Sequence, residues 1–284
     1  MASFIDGVPS EEAFIARVNI ASYRGSFDQT LPIAGIDAIS ADASVEAFGL
    51  TFCWRPPVEI HPEWSFAVSA TIPFVIADVE ASVAGSVGAA PLTIRRSQRT
   101  EGLGDIILMP IMLNQRVSAD LNFNYRLTVY APTGDYEVGR LANAGKNFWT
   151  YSPTVGIVYF GQQNGREASL YAGVDFNSKN TDTDYHSGDQ FHIDATLAQH
   201  LPLFEGIAGV GVTGFFYEQI TGDSGSGARF GDFRSNASGI GPVLSYVMKT
   251  SARDIVAELK WLHEFDVRRR LEGDAIFLKV MTSF

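Results

Sequence analysis

Strict period-two alternation, tight and long connectors in turn, and aromatic residues at the ends of the alternating segments predict an all-β chain. The fold they describe is a transmembrane antiparallel up-and-down β-barrel of twelve strands, with short periplasmic turns and long extracellular loops. The clearest segment is Leu121-Asn122-Phe123-Asn124-Tyr125-Arg126-Leu127-Thr128-Val129-Tyr130, where every odd position is apolar or aromatic and every even one can hydrogen-bond. A helix would spread Leu121, Phe123 and Tyr125 around its circumference, whereas a strand sets them on one face. The same pattern recurs in Leu170–Asn177, Phe191–Ala198, Ile255–Lys260 and Ile276–Phe284.

Taken in order, turn signals delimit strands at Phe14–Gly25, Ser44–Arg55, Trp64–Ile76, Gly104–Asn114, Ala119–Ala131 and Phe148–Gly161. The second half adds Ala168–Ser178, Gln190–Leu201, Ile207–Ile220, Ser235–Met248, Asp254–Asp266 and Asp274–Phe284. Connectors at Asn114–Ser118, Gln162–Glu167, Pro202–Gly206 and Lys249–Arg253 are tight. Those at Ser26–Asp42, Ala77–Leu103, Pro132–Asn147, Lys179–Asp189 and Thr221–Arg234 read as long loops. Trp54, Trp64, Trp149, Tyr151, Tyr159 and Trp261 share the apolar parity near strand ends, as interfacial girdles require. Alternation alone does not say which face is outside, so a soluble ligand-binding β-barrel shares this pattern; the connector lengths and girdles favour the membrane.

Composition narrows the classes. One cysteine among 284 residues excludes a disulfide scaffold and a cysteine-built metal site, and 46% hydrophobic residues exclude a disordered chain. A formal charge of −11 argues against nucleic acid as a partner. The most apolar stretch, Trp64 to Leu92, is interrupted by Pro73, Asp78 and Glu80, so a helical membrane span is not expected. Met1-Ala2-Ser3-Phe4-Ile5-Asp6 has neither a basic segment nor an apolar run, so export implies a signal peptide removed ahead of this sequence. Residues 1–13 then form an N-terminal periplasmic or lumenal segment, and 14–284 one barrel domain.

Several motifs have blander readings. Gly209-Val210-Gly211-Val212-Thr213-Gly214 fits the dinucleotide fingerprint but is followed by Phe215-Phe216-Tyr217 and further glycines, leaving no room for the helix that would bind pyrophosphate. Gly222-Asp223-Ser224-Gly225 resembles a serine-protease nucleophile without a histidine in a matching local motif. Asp182, Asp184 and Asp189 beside His186 and Ser187 could gather calcium or build a lipid-hydrolase dyad. The calcium-loop spacing puts Ile193 where a bidentate Glu is needed, and adjacent residues on a strand point to opposite faces. A solvated acidic loop is preferred, and no catalytic residue, metal or cofactor is expected.

On the polar parity, Arg17, Asn122, Asn124, Arg126, Asp175, Asn177, His192, Asp194, Glu258, Lys260 and Lys279 would project inward. Charges paired across a lumen can knit a barrel together and can also select what passes.

The last strand, counted back from Phe284 through Thr282, Val280, Leu278 and Ile276, resembles the assembly signal of bacterial outer-membrane proteins, with Thr282 in place of the usual aromatic. A further set of motifs resembles a family. They are Gly102-Leu103-Gly104-Asp105, Ala131-Pro132-Thr133-Gly134-Asp135-Tyr136, Leu141 to Trp149, Asp184 to His192, Asp223 to Gly227, Gly231-Asp232-Phe233, Ile240-Gly241-Pro242, and Glu264-Phe265 with Arg270, Gly273 and Asp274. In this order they are similar to the outer-membrane channels labelled meta-pathway phenol-degradation proteins. His186 stands where that family usually has Gln, and Arg269 where it has Asn.

The resemblance implies a monomeric twelve-stranded outer-membrane barrel with a constricted lumen that admits small hydrophobic or aromatic molecules. It also implies contacts with outer-membrane lipid and lipopolysaccharide, and with the barrel-assembly machinery through the strand ending at Phe284. An outer-membrane barrel enzyme acting on lipid is the alternative. For a channel, Val158, Phe160, Phe215, Tyr217, Phe277 and Met281 on the inward parity are expected as apolar steps beside the lumenal charges.

Overall fold

The computed structural model describes residues 6, 13–27, 31–33, 36–58, 60–87, 90–228, 231–249 and 253–284. Its strands are β1 (Ala13–Phe27), β2 (Leu31–Ile33), β3 (Ile36–Arg55), β4 (Trp64–Val87), β5 (Ala90–Leu103), β6 (Ile107–Arg116) and β7 (Leu121–Tyr130). They continue as β8 (Thr150–Phe160), β9 (Arg166–Asn177), β10 (Gln190–Leu203), β11 (Gly206–Gln219), β12 (Asn236–Lys249), β13 (Asp254–Arg268) and β14 (Glu272–Ser283). Each barrel strand pairs antiparallel with its neighbours, β1 joins β14 and β3, and β3 joins β4, so twelve strands close on themselves. Closure removes the unpaired edge that a membrane would otherwise have to solvate. The three-residue β2 and the hairpin strand β5 are additions to this ring.

The faces are those of a membrane barrel. Val18, Leu50, Ile72, Val155, Leu170, Leu197, Val212, Leu244, Leu259 and Ile276 are exposed on the outside. Asn124, Thr150, Ser169, Thr196, Thr213, Glu258 and Lys260 are buried within. A water-soluble barrel would show the reverse. Trp54, Trp64 and Tyr159 lie at the short-turn end and Trp149 and Tyr151 at the long-loop end, with Trp64 stacked on Tyr125 at 5.8 Å and Trp149 on Tyr151 at 6.2 Å.

Two expected loops are strands instead. β1 runs to Phe27 and β3 begins at Ile36 within the expected loop Ser26–Asp42; β4 and β5 form a hairpin through most of Ala77–Leu103. Asp78, Glu80 and the arginines of β5 look like loop residues in sequence. Here they pair across the hairpin, Arg99 Nη1 with Asp78 Oδ2 at 3.1 Å and Arg95 Nη1 with Glu80 Oε1 at 3.9 Å. A strand rising beyond the lipid no longer needs an apolar outer face, so the pattern that reveals a membrane strand vanishes while the ladder continues.

β6 departs from simple alternation for a local reason. Met109 and Pro110 together oppose a single residue of β7, because Leu108 pairs with Val129 and Ile111 with Leu127. Proline has no N–H to give the ladder, and the bulge absorbs it. The extra residue reverses the parity, so Met109 and Met112 both face inward.

Candidate functional site in the barrel lumen

Strand register gathers a cationic cluster on one wall. Lys279 of β14 lies opposite Asn19 of β1 and Glu258 of β13, while Arg17 lies opposite Met281 and Lys260 opposite Phe277. Glu258 Oε1 is 3.2 Å from Lys260 Nζ and 3.5 Å from Lys279 Nζ, and Glu258 and Lys260 are almost wholly buried. Arg126 reaches in from β7, four strands from β1 round the barrel, donating to Tyr171 Oη at 3.0 Å with its guanidinium 4.5 Å from the Tyr171 ring centre. A Cβ at Gly156 would stand 2.3 Å from that ring, so glycine is what lets Tyr171 lie flat against β8.

Asp6 joins these walls. Its carboxylate accepts from Lys279 Nζ at 2.7 Å and from Arg17 Nη1 at 2.9 Å, and its backbone carbonyl accepts from Arg126. Burial by itself would raise the Asp6 carboxyl pKa. Lys279, Arg17, Lys260 and Arg126 outweigh that effect and hold it well below the usual carboxylate range.

Above this point, among the described residues, Arg17, Arg126, Asp175, His192, Asp194, Phe215, Tyr217, Phe277 and Lys279 line a cavity of about 610 Å³. Below it Met109, Met112 and Met281 help to line a space of only about 40 Å³, and Asp6, Arg17, Met109 and Arg126 border both. Among the described residues, the charges therefore meet where the larger space gives way to the smaller one. On the opposite wall His192 Nε2 lies 3.4 Å from Asp175 Oδ1, and His192 Nδ1 lies 4.0 Å from Asp194 Oδ2.

The other residues expected to face the lumen lie outside the walls of these two cavities. Asn122 and Asn124 bond to Asn114 at 3.2 Å each, Val158 is buried in the wall, and Phe160 packs on His200 with ring centres 4.9 Å apart. Asn177 accepts from Thr150 at 2.7 Å and donates to the Gly188 carbonyl at 3.0 Å, nearer the outer mouth. Glu258 and Lys260 sit in the wall beside the cluster. Sequence reasoning missed Asp6, Tyr171, Met109 and Met112. Tyr171 was available on the inward parity of Leu170–Asn177, and Pro110 inside an alternating segment signalled the bulge.

The motif residues tie loops together at the outer mouth. Asp105 accepts from the backbone N–H of Gly134 at 3.0 Å and of Lys146 at 2.8 Å, folding residues 131–149 against the break between β5 and β6. Gly134 and Gly145 meet so closely that a Cβ on either would stand 2.7 to 2.8 Å from the other's backbone. Asp223 accepts from Tyr185 Oη, Gln219 Nε2 and the Gly188 N–H at 2.7, 2.6 and 3.1 Å, and Glu264 from Tyr23 Oη and the Gly273 N–H at 2.9 and 3.0 Å. A second cavity of about 680 Å³ lies among these loops, with Val138, Leu141, Phe148, Tyr185 and Phe233 on its walls.

Residues distant in sequence also bring Ser224 Oγ within 3.3 Å of His186 Nδ1, a contact local motifs did not reveal. His186 Nε2 lies 2.8 Å from the Asn177 carbonyl, while the neighbouring Asp223 carboxylate is committed to Tyr185, Gln219 and Gly188. A carbonyl thus orients this histidine where the protease arrangement uses a carboxylate. Two of the three acidic side chains of the 178–189 loop have separate partners: Asp182 accepts from Asn147 at 2.8 Å and Asp184 pairs with Lys179 and Ser226.

A family model described as "Putative MetA-pathway of phenol degradation" matches residues 26–280. The chain belongs to this family. Among solved structures the phenol-degradation family chain is similar to the COG4313 outer membrane channel from Pseudomonas putida F1, at 14% identity over 100% of both chains with a TM-score of 0.74. It is also similar to the β domain of the Bordetella autotransporter BrkA, at 9% identity over 96% of this chain and 100% of that one, TM-score 0.54. A third likeness is to the transport unit of the autotransporter AIDA-I from Escherichia coli, at 9% identity over 100% and 94%, TM-score 0.52. Curated proteins yield no match. Closed sheet, apolar outer belt and family place the chain in the bacterial outer membrane.

Proposed function

We propose that this family member is a monomeric outer-membrane channel through which small hydrophobic or aromatic molecules diffuse passively. The observation that carries the reading is the cavity of about 610 Å³ inside the barrel, with Phe215, Tyr217 and Phe277 on its walls, ending at a charged constriction. Such a solute finds ring contacts in the cavity and leaves its hydration behind by steps, a route that a lipopolysaccharide leaflet denies it. The loop cavity with Phe148, Tyr185 and Phe233 lies above as a first stop. Twelve strands suit this task, being wider than the side-chain-filled eight-strand barrels and narrower than open porins. The same reading makes the protein a transporter without catalytic residues, inserted by the assembly machinery through the strand that ends at Phe284.

Single-channel recording in planar bilayers, under a salt gradient and with a small aromatic acid added, tests it. A small steady conductance that the aromatic blocks is expected. Silence from heat-modifiable, correctly folded protein would overturn passage through the lumen. Phe215→Asp with Phe277→Asp should impair aromatic uptake by cells while leaving folding intact, and unchanged uptake would remove these rings from the path.

A further inference from the structure

Among the described residues, Arg17, Arg126 and Lys279 gather on Asp6, while Lys260 and Lys279 face Glu258. The acids of the other wall, Asp175 and Asp194, flank His192. Buried hydrogen-bonding capacity is also left over. Arg17 Nε and Arg126 Nε have no acceptor among the described residues, and Lys260 Nζ faces Glu258 without hydrogen-bond alignment. A buried donor without an acceptor is costly, so a cluster kept in this state is suited to receive an anion. Asp6 is such an anion, delivered by the chain itself from seven residues before β1. Phe215, Tyr217 and Phe277 border the same space.

Building on the channel reading, we infer that the Arg17, Arg126 and Lys279 cluster, backed by Lys260 in the wall, is a binding site for the carboxylate of small aromatic acids, with the Asp6 side chain its tethered resident. An incoming benzoate-like anion places its ring among Phe215, Tyr217 and Phe277 and exchanges its carboxylate for that of Asp6. The exchange is close to isoelectric: one carboxylate leaves Arg17 and Lys279 as another arrives. The barrel therefore never exposes the bare cluster to the lumen, and the neutral analogue of the solute gains nothing from it. Selectivity arises from charge at the constriction and from ring contacts above it.

Isothermal titration of the detergent-solubilised full chain with benzoate, and with benzyl alcohol as the neutral control, tests the assignment. Asp6→Asn removes the resident carboxylate, and benzoate should bind about tenfold or more tightly than to the unaltered chain, the scale of one charge-assisted hydrogen bond. Benzyl alcohol should bind both alike, and adding Arg126→Gln to Asp6→Asn should remove the gain. Equal benzoate affinity in the two chains would overturn the site. Should Asp6→Asn fail to fold, refolding it with benzoate supplies the missing carboxylate and should restore the heat-modifiable barrel, whereas benzyl alcohol should not. Failure of that rescue would overturn the assignment equally. Conductance separates this outcome from the channel reading: tight benzoate binding by a barrel that never conducts leaves the site standing and removes the channel, and conductance without the Asp6→Asn gain does the opposite.

Discussion

Glu258 offers the sharpest test of how the lumen is held. Its carboxylate is 3.2 Å from Lys260 Nζ and 3.5 Å from Lys279 Nζ, and it is 2% exposed beside a lysine that is 1% exposed. At an effective dielectric of about 20, a pair of unit charges at these distances attracts by about 5 kcal/mol. The two contacts together therefore offset much of the cost of keeping three ions away from water. Glu258→Gln preserves the volume and removes the charge, leaving Lys260 and Lys279 to repel each other and Arg17. Breaking a buried pair in this way costs about 3–5 kcal/mol. Urea unfolding in detergent micelles, followed by tryptophan fluorescence and by the heat-modifiable mobility shift, would read the loss as a lower midpoint with an unchanged slope. A loss below about 1 kcal/mol would place Glu258 in a water-like setting and refute the reasoning.

Other consequences follow from the same geometry. Glu258→Gln removes one negative charge beside Lys260 and Lys279, so the reversal potential in a salt gradient should shift toward anion selectivity; no shift would put the cluster off the ion path. Asp105→Ala leaves the N–H groups of Gly134 and Lys146 without their acceptor, which should cost about 2–4 kcal/mol and expose residues 131–149 to limited proteolysis. Gly156→Val drives a side chain into the Tyr171 ring, so the Arg126 to Tyr171 contact should break and the single-channel current should change while the barrel still forms. Lys179 and the Ser226 hydroxyl and N–H hold Asp184 below the usual carboxylate range, so its tie is fully present above that range and is lost only as pH falls through the lowered value. Tryptic cleavage after Lys179 should accordingly stay constant from about pH 8 to pH 6 and rise in Asp184→Asn.

Much of this protein is legible in sequence because a membrane barrel writes its fold in period two. Parity divides Leu121–Tyr130 into two faces, and connector lengths with the aromatic girdles say which face meets lipid, so twelve strands and inward Arg17, Arg126, His192, Phe215 and Lys279 can be read without coordinates. Parity says nothing of height or azimuth. Only strand register set Lys279 beside Glu258 and carried Arg126 within reach of Tyr171, contacts between residues 21 and 45 positions apart. The hairpin of β4 and β5 escaped because strands standing in water need no apolar face, and Met109 escaped because Pro110 reversed the parity. Asp6 could not be found in any pattern. One carboxylate in a short segment carries no periodicity, and the Arg17 and Lys279 that it meets come together only when β1 and β14 pair to close the barrel.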